Sequence, residues 1–288
     1  MTLTRQDLPM LTVQTRGARL CYQVEGIERS GSPVLLIQGV GVIGEGWRPQ
    51  LDGLKDRYRL ATFDNRGIGG SVIEAGAAGA ALSIEAMAED ALAVMDAAGF
   101  AQAHVVGHSM GGVIAQQLAL SAPSRVKSLS FLCTFHVGRE AVRMTPTILQ
   151  LGLRSRIGTR KMRRNAFLQL VMPPASLRAA DRDRLAADLA KLFGHDLADQ
   201  PPIAMPQLRA MSRYDASARL AQLAGVPTLV LSAEHDVIAR PAYGRALAAA
   251  IPGARYVEFP GAGHGVPIEH AQKINQHLAE HFSAAATA

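Results

Sequence analysis

Ser109 lies in the string Gly107-His108-Ser109-Met110-Gly111, between an apolar run that reads as a strand and a stretch with helical spacing. A serine on a tight strand-to-helix turn points its hydroxyl out at the carboxyl end of a sheet, where it can attack a carbonyl. Residues two before and two after come so close that a side chain is scarcely tolerated, which accounts for Gly107 and Gly111. Gly112 extends the same close approach. A hydroxyl is a poor nucleophile at neutral pH and needs a base within hydrogen-bond reach. Of the nine histidines, His264 has the right setting, in Gly261-Ala-Gly-His264-Gly265. That is a flexible loop between the last strand and the last helix, able to bring an imidazole to the serine.

The base needs an acid to fix its tautomer and stabilise the imidazolium. Asp236 follows the strand Pro227–Ser232, at a carboxyl end where sites gather in open α/β sheets. Glu234 is the rival; Asp236 is preferred because the chain must first leave the sheet. The oxyanion that forms needs two backbone donors. One is expected from Met110, directly after the nucleophile at a helix N-terminus. The other is expected from Val40 in the turn Gln38-Gly39-Val40-Gly41. The remaining histidines have plainer readings. His104 and His108 are satisfied strand residues, and His195 and His235 lie in loops. His277 and His281, spaced i,i+4 on the last helix, read as a solvated face rather than a metal pair. No metal or cofactor is called for.

The elements that position these residues alternate. A hairpin, Leu11–Thr15 and Arg19–Val24, precedes the continuous apolar strand Pro33–Gln38. Further strands are expected at Tyr58–Asp64, Ala103–His108, Val126–Thr134, Pro227–Ser232 and Ala254–Phe259. Helices are expected at Trp47–Asp56, Ser83–Ala98 with Ser83 as N-cap, Met110–Ala122, Pro241–Ile251 and Pro267–Phe282. Strand and helix in alternation, with apolar strands, predict a mostly parallel, doubly wound α/β sheet. The stretch 135–219 breaks this rhythm. It holds helical patterns punctuated by prolines and no convincing strand. We therefore expect an α/β core from 1–134 and 220–288, with a helical cap, 135–219, inserted after the sixth strand. The cap should roof the pocket, with Met144, Leu149 and Phe167 facing the substrate beside Gly39, and Trp47 flanking the entrance.

The 288 residues carry a formal charge of +6. Much of the excess falls between Arg139 and Arg178, where nine basic residues face the single acid Glu140. The plain reading is a solvated helical surface; the sharper one is an entrance that steers anions, or a lid touching a membrane. Aromatic residues do not interleave with these arginines except at Phe167, which argues against nucleic acid as a partner. Two cysteines, Cys21 and Cys133, in no paired motif, fit a reducing compartment. The N-terminal residues lack an apolar signal core, and no apolar run reaches the ~18–20 residues of a membrane span. A cytoplasmic protein with a small-molecule substrate and no membrane contact is expected.

These landmarks resemble those of the α/β-hydrolase superfamily from about Leu11 to Phe282. To the strings above is added Asp64-Asn-Arg66-Gly67-Ile-Gly69-Gly-Ser71, which is similar to a loop of small esterases and lactonases. The resemblance implies that Asp64 and Arg66 brace this loop. Many relatives carry His-Gly where this chain has Gln38-Gly39, so the bracing of the oxyanion turn must differ. The Ser-Met-Gly-Gly string is similar to that of 3-oxoadipate enol-lactonases and of carbon–carbon bond hydrolases. The latter usually have asparagine at the position of His108, which favours the former. The resemblance thus implies a serine hydrolase that cleaves a carboxylic ester or lactone through an acyl-serine. A carbon–carbon hydrolase, lyase, acyltransferase or cofactor-free peroxidase-like enzyme would use the same triad. A ligand receptor on this fold and a membrane-associated lipid hydrolase are further alternatives.

Overall fold

The computed structural model describes residues 10–26, 31–74, 82–141 and 145–286. Its strands are β1 (Leu11–Thr15), β2 (Ala18–Gly26), β3 (Ser32–Ile37), β4 (Tyr58–Phe63), β5 (Val72–Ile73), β6 (Ala103–His108), β7 (Val126–Leu132), β8 (Thr228–Ala233) and β9 (Arg255–Phe259). They form one sheet in the order β1-β2-β4-β3-β6-β7-β8-β9, with the two-residue β5 paired to β2. Pairing from β4 through β3, β6, β7 and β8 to β9 is parallel, whereas β1, β4 and β5 run antiparallel to β2. Strands β6 and β8 sit inside the sheet and are almost wholly buried, around the apolar residues Val105-Val106 and Leu229-Val230-Leu231. Edge strand β1, LTVQT, is exposed or half-buried along its length. The short β5 was not expected from the sequence; two residues carry no readable period.

The helices are α1 (Arg48–Leu54), α2 (Ile84–Ala97), α3 (Met110–Ser121), α4 (Gly138–Ala141), α5 (Pro146–Arg154), α6 (Arg160–Val171), α7 (Pro174–Ala179), α8 (Arg182–Phe193), α9 (Ala204–Ser212), α10 (Pro241–Ala250), α11 (Val266–Glu269) and α12 (Ala271–Ala286). Ser83 caps α2 by accepting from the Ala86 amide. Helix α3 is buried along nearly its whole length against β6 and β7, so the segment that follows Ser109 is rigidly packed. No helix among the described residues is long and apolar enough to cross a membrane.

Six helices, α4 to α9, lie between β7 and β8. They are divided between two apolar clusters. Leu168, Val171, Leu177, Leu189, Phe193 and Leu197 form a small cluster of their own, against which Val42 and Ile268 pack. Phe135, Ala210, Met211, Tyr214 and Ala216 instead belong to the main core under the sheet. The beginning and end of the stretch 135–219 are thus continuous with the α/β core, and α6 to α8 carry the separate cluster.

The loop after β4 is tied down as its motif implies. Asp64 accepts from the amides of Gly44 (2.7 Å) and Gly70 (2.9 Å), and Ser71 Oγ donates to the Asp64 carbonyl (2.6 Å). Arg66 makes a bidentate pair with buried Asp90 on α2, at 2.6 and 2.7 Å. The Asn65 side chain donates to the Gln38 carbonyl, linking this loop to the turn after β3 (3.0 Å). Cys21 and Cys133 are both buried and free.

Candidate active site

Ser109 joins β6 to α3 with φ 55 and ψ −120. It is one of two non-glycine residues of positive φ among those described, the other being Cys133. The turn is enforced by backbone contacts. A β-carbon on Gly107 would lie 2.3 Å from the Gly111 carbonyl oxygen, and one on Gly111 would lie 2.0 Å from that of Ile37. The Ser109 amide donates to the Leu132 carbonyl (2.9 Å), and Thr134 Oγ1 donates to the Ser109 carbonyl (2.7 Å). With both backbone groups engaged, the strained serine is held in place from β7.

The Asp236 carboxylate accepts from His264 Nδ1 at 2.7 Å, and both side chains are buried. Backbone amides of Ile238 and Ala239 also donate to Asp236, each at 2.8 Å. Burial works against this carboxylate, but the His264 charge, its hydrogen bond and the two amides outweigh burial and hold the acid below its ordinary range. With Nδ1 committed to Asp236, Nε2 is the nitrogen of His264 that remains for proton transfer. The rival acid Glu234 turns away and accepts from the Gly261 amide.

Two side chains crowd this pair. His108 lies with its ring centroid 4.7 Å from that of His264, and its Nε2 donates to the His264 carbonyl at 3.0 Å. Burial, reinforced by repulsion from His264, lowers the His108 pKa to about 3, so the ring is neutral at physiological pH. Cys133, at φ 48, sits beneath the acid. Burial first, then the Asp236 charge and a hydrogen bond to Asp236, push its thiol well above the ordinary range. The S–H is therefore a donor to the acid.

At the turn after β3, the Gly39 amide donates to its neighbour's side chain, Gln38 Oε1, at 3.1 Å. This is the altered bracing that glutamine brings, and it leaves Val40 as the next amide along. Gly39 approaches the serine closely: a β-carbon there would lie 3.6 Å from Ser109 Oγ. Met110 has its side chain fully buried in the core, so its amide at the start of α3 is the group it offers. Ser109, His264, Gly39 and Val40 all line one cavity of about 220 Å³ between the sheet end and the helices above it.

Residues 32–271 match the family described as the alpha/beta hydrolase fold. The chain belongs to the α/β-hydrolase family. A carbamate hydrolase by name, RutD of Azorhizobium caulinodans, is 31% identical over 261 residues, covering 91% of this chain and 94% of its own. The enol-lactonase from Burkholderia xenovorans is 26% identical with a TM-score of 0.78, over 95% of this chain and all (100%) of its own. A hydrolase from Pseudomonas aeruginosa is 27% identical with a TM-score of 0.75, over 96% and 99% of the two chains.

In this α/β hydrolase the residues expected around the substrate divide. Gly39 and Phe167 line the cavity. Trp47 does not: it is fully buried, its ring edge-on to His108 at 6.4 Å, and it supports the site from behind. Leu149 is 55% exposed on α5 and also lies off the cavity, which no residue of that helix lines. Met144 falls outside the described residues. Lining residues that sequence reasoning missed include Phe193, Gln200, Leu208, Met211 and Ile238. For Ile238 a signal existed, two residues beyond the acid; for the others the docking of the helices decides.

The i,i+4 histidines of α12 also correct the reading of a solvated face. His281 is buried and donates to the Leu129 carbonyl, while His277 packs edge-on to Phe259. One trio, His108, Cys133 and His264, has donor atoms within 4.8 Å of one another. Within it, His264 Nδ1 is engaged by Asp236 and His108 Nε2 by the His264 carbonyl.

Proposed function

We propose that this α/β hydrolase is a serine hydrolase acting on a carboxylic ester or lactone. The observation that carries the reading is a buried Asp236–His264 pair opening onto the same cavity as a serine on a strained turn. Nε2 of His264 takes the Ser109 proton as Oγ attacks the carbonyl carbon. The tetrahedral oxyanion rests on the amides of Met110 and Val40. His264 then protonates the leaving alcohol oxygen, and an acyl-serine remains. Water, deprotonated by the same nitrogen, releases the acid and restores Ser109. The enol-lactonase likeness supports an oxygen leaving group. Helices α6, α8 and α9, which line the cavity opposite the sheet, act as the cap that selects the acyl group.

The test is labelling with a small fluorophosphonate, with the adduct mapped by mass and Ser109→Ala as control. Adduct at Ser109, lost in the variant, together with turnover of neutral esters, is the expected result. A folded protein that neither labels nor hydrolyses any ester, but is stabilised by small ligands, would favour the receptor alternative.

A further inference from the structure

Gln200 lies between α8 and α9 and lines the cavity, yet its Nε2 is buried without a hydrogen-bond partner among the described residues. Buried amide donors are almost always paired, so an orphan facing a substrate cavity marks a place for a ligand acceptor. Its backbone is fixed by Pro201 and Pro202, and Pro201 packs against Gly41 in the oxyanion turn. The donor is thus held beside the loop that carries Val40.

Apart from Gln38, His108 and the pair Ser109 and His264, the rest of the wall is apolar, with Phe167, Leu170, Leu189, Phe193, Met211 and Ile268 among its residues. No lysine, arginine, aspartate or glutamate is among the described residues that line it. Of the basic side chains of α6, Arg160 and Arg164 pair with Asp196 and Lys161 pairs with Asp183 on the outer side, and Arg163, whose Nε is buried, is not among the residues that line the cavity. A substrate carboxylate buried here would have no counter-charge, which low-dielectric surroundings penalise heavily. The positive charge of the helices therefore does not reach the reacting group.

We propose that Gln200 is a substrate-recognition residue, and that the cavity takes an uncharged acyl chain bearing one further hydrogen-bond-accepting oxygen. A keto, ether or amide oxygen would accept from Gln200 Nε2 while Ser109 attacks the ester carbonyl. The volume, below the ~300–1,000 Å³ of pockets for drug-sized ligands, restricts the chain to a compact one. This rests on the serine-hydrolase reading.

The experiment compares p-nitrophenyl esters of one chain length: plain alkyl, the same chain with an ether or keto oxygen at successive positions, and a terminal carboxylate. One oxygen-bearing ester should exceed its alkyl counterpart by about tenfold in kcat/KM, as a single well-placed hydrogen bond allows. The carboxylate ester should be the poorest. Gln200→Leu should abolish the oxygen preference, chiefly through KM, as read from the ratio of kcat/KM for the oxygen-bearing and alkyl esters within each variant. Gln200→Met, closer in shape, repeats the test should the leucine variant unfold. A preference that survives both variants, or a carboxylate ester that is turned over best, overturns the proposal. Fluorophosphonate labelling is read in parallel. Labelling at Ser109 with no oxygen preference sinks this inference alone, whereas no labelling sinks the underlying reading with it.

Discussion

The carboxyl end of the sheet and the helical segment α5 to α9, part of which lines the cavity opposite it, hold their residues by different means. On the sheet side, Gly107 and Gly111 meet backbone, and Gly112 meets the Thr134 side chain. Gly107, Gly111 and Gly112 sit where an added β-carbon would fall within 2.6 Å of a neighbour. The loop ion pair Arg66–Asp90 is almost wholly buried, with side-chain exposures of 5% and 1%. On the helix side, Gly152 meets nothing within 4 Å, and Arg164 pairs with Asp196 at exposures of 36% and 22%. One wall is dictated residue by residue; the other asks mainly for apolar chemistry on an inner face. On the proposed function, chemistry that needs ångström placement belongs to the first wall and choice of substrate to the second.

The sharpest way to break this division is at the reacting groups. Ser109→Ala or His264→Ala should lower kcat on a neutral ester by about 10⁶-fold. Asp236→Asn, with the wrong tautomer favoured on His264, should lower it by about 10⁴-fold. Unchanged circular dichroism would show that the loss is chemical; residual activity within tenfold of the parent would refute the assignment.

Stability should separate the two walls next. Arg66→Met strands Asp90 in the core and should cost about 3–5 kcal/mol in denaturant unfolding. Arg164→Met, at an exposed pair, should leave the midpoint unchanged within error. Gly111→Ala should fail to give folded protein, because the new methyl collides with the Ile37 carbonyl. The same change at Gly152, in the open interior of α5, should stabilise by about 0.5–1 kcal/mol. Equal effects at the two glycines would contradict the contrast.

A subtler test uses pH. His104 on β6 is buried between Ser32 and Ser128, at 3.1 and 2.8 Å, and burial, aided by Lys127 and His281, lowers its pKa from 6.5 to about 4. Above pH 6.5 both states are neutral and its contribution is complete. Between 6.5 and about 4 the unfolded chain takes up a proton that the native ring refuses, so stability falls as the pH drops. His104→Gln should reduce the slope of the melting temperature against pH across this window without abolishing it, because His108, lowered to about 3, contributes there too. An unaltered slope would mean that His104 is not the group responsible.

The same contrast explains what could be read from the residues alone. The apolar strands, the Gly107–Gly112 turn and the Asp64–Ser71 loop were legible because backbone geometry permits few residue types there. His264 and Asp236 were legible as loop residues beyond strand ends, and the structure brings them together. The cavity wall was not. Phe193 and Leu208 look like any helical apolar residue, and only the rotation of each helix sets which side faces inward. Leu149 lies on a helix that does not reach the cavity at all, and Trp47 is buried behind His108. His281 was misjudged because its period of four matches a polar face as readily as a buried one.

Three bonds tie the helices to the loops beneath them. The Gly265 amide, next to His264, donates to the Val171 carbonyl at the end of α6 (2.7 Å). Gly41, next to Val40, donates to Gln207 Oε1 of α9 (2.9 Å) and accepts from His195 Nε2 (3.1 Å). The helical segment is therefore not an interchangeable module. A chimaera that transplants a foreign segment to change substrate range must reproduce these tethers, or both loops lose their anchorage. Grafts chosen by pocket shape alone should bind new esters and turn them over slowly.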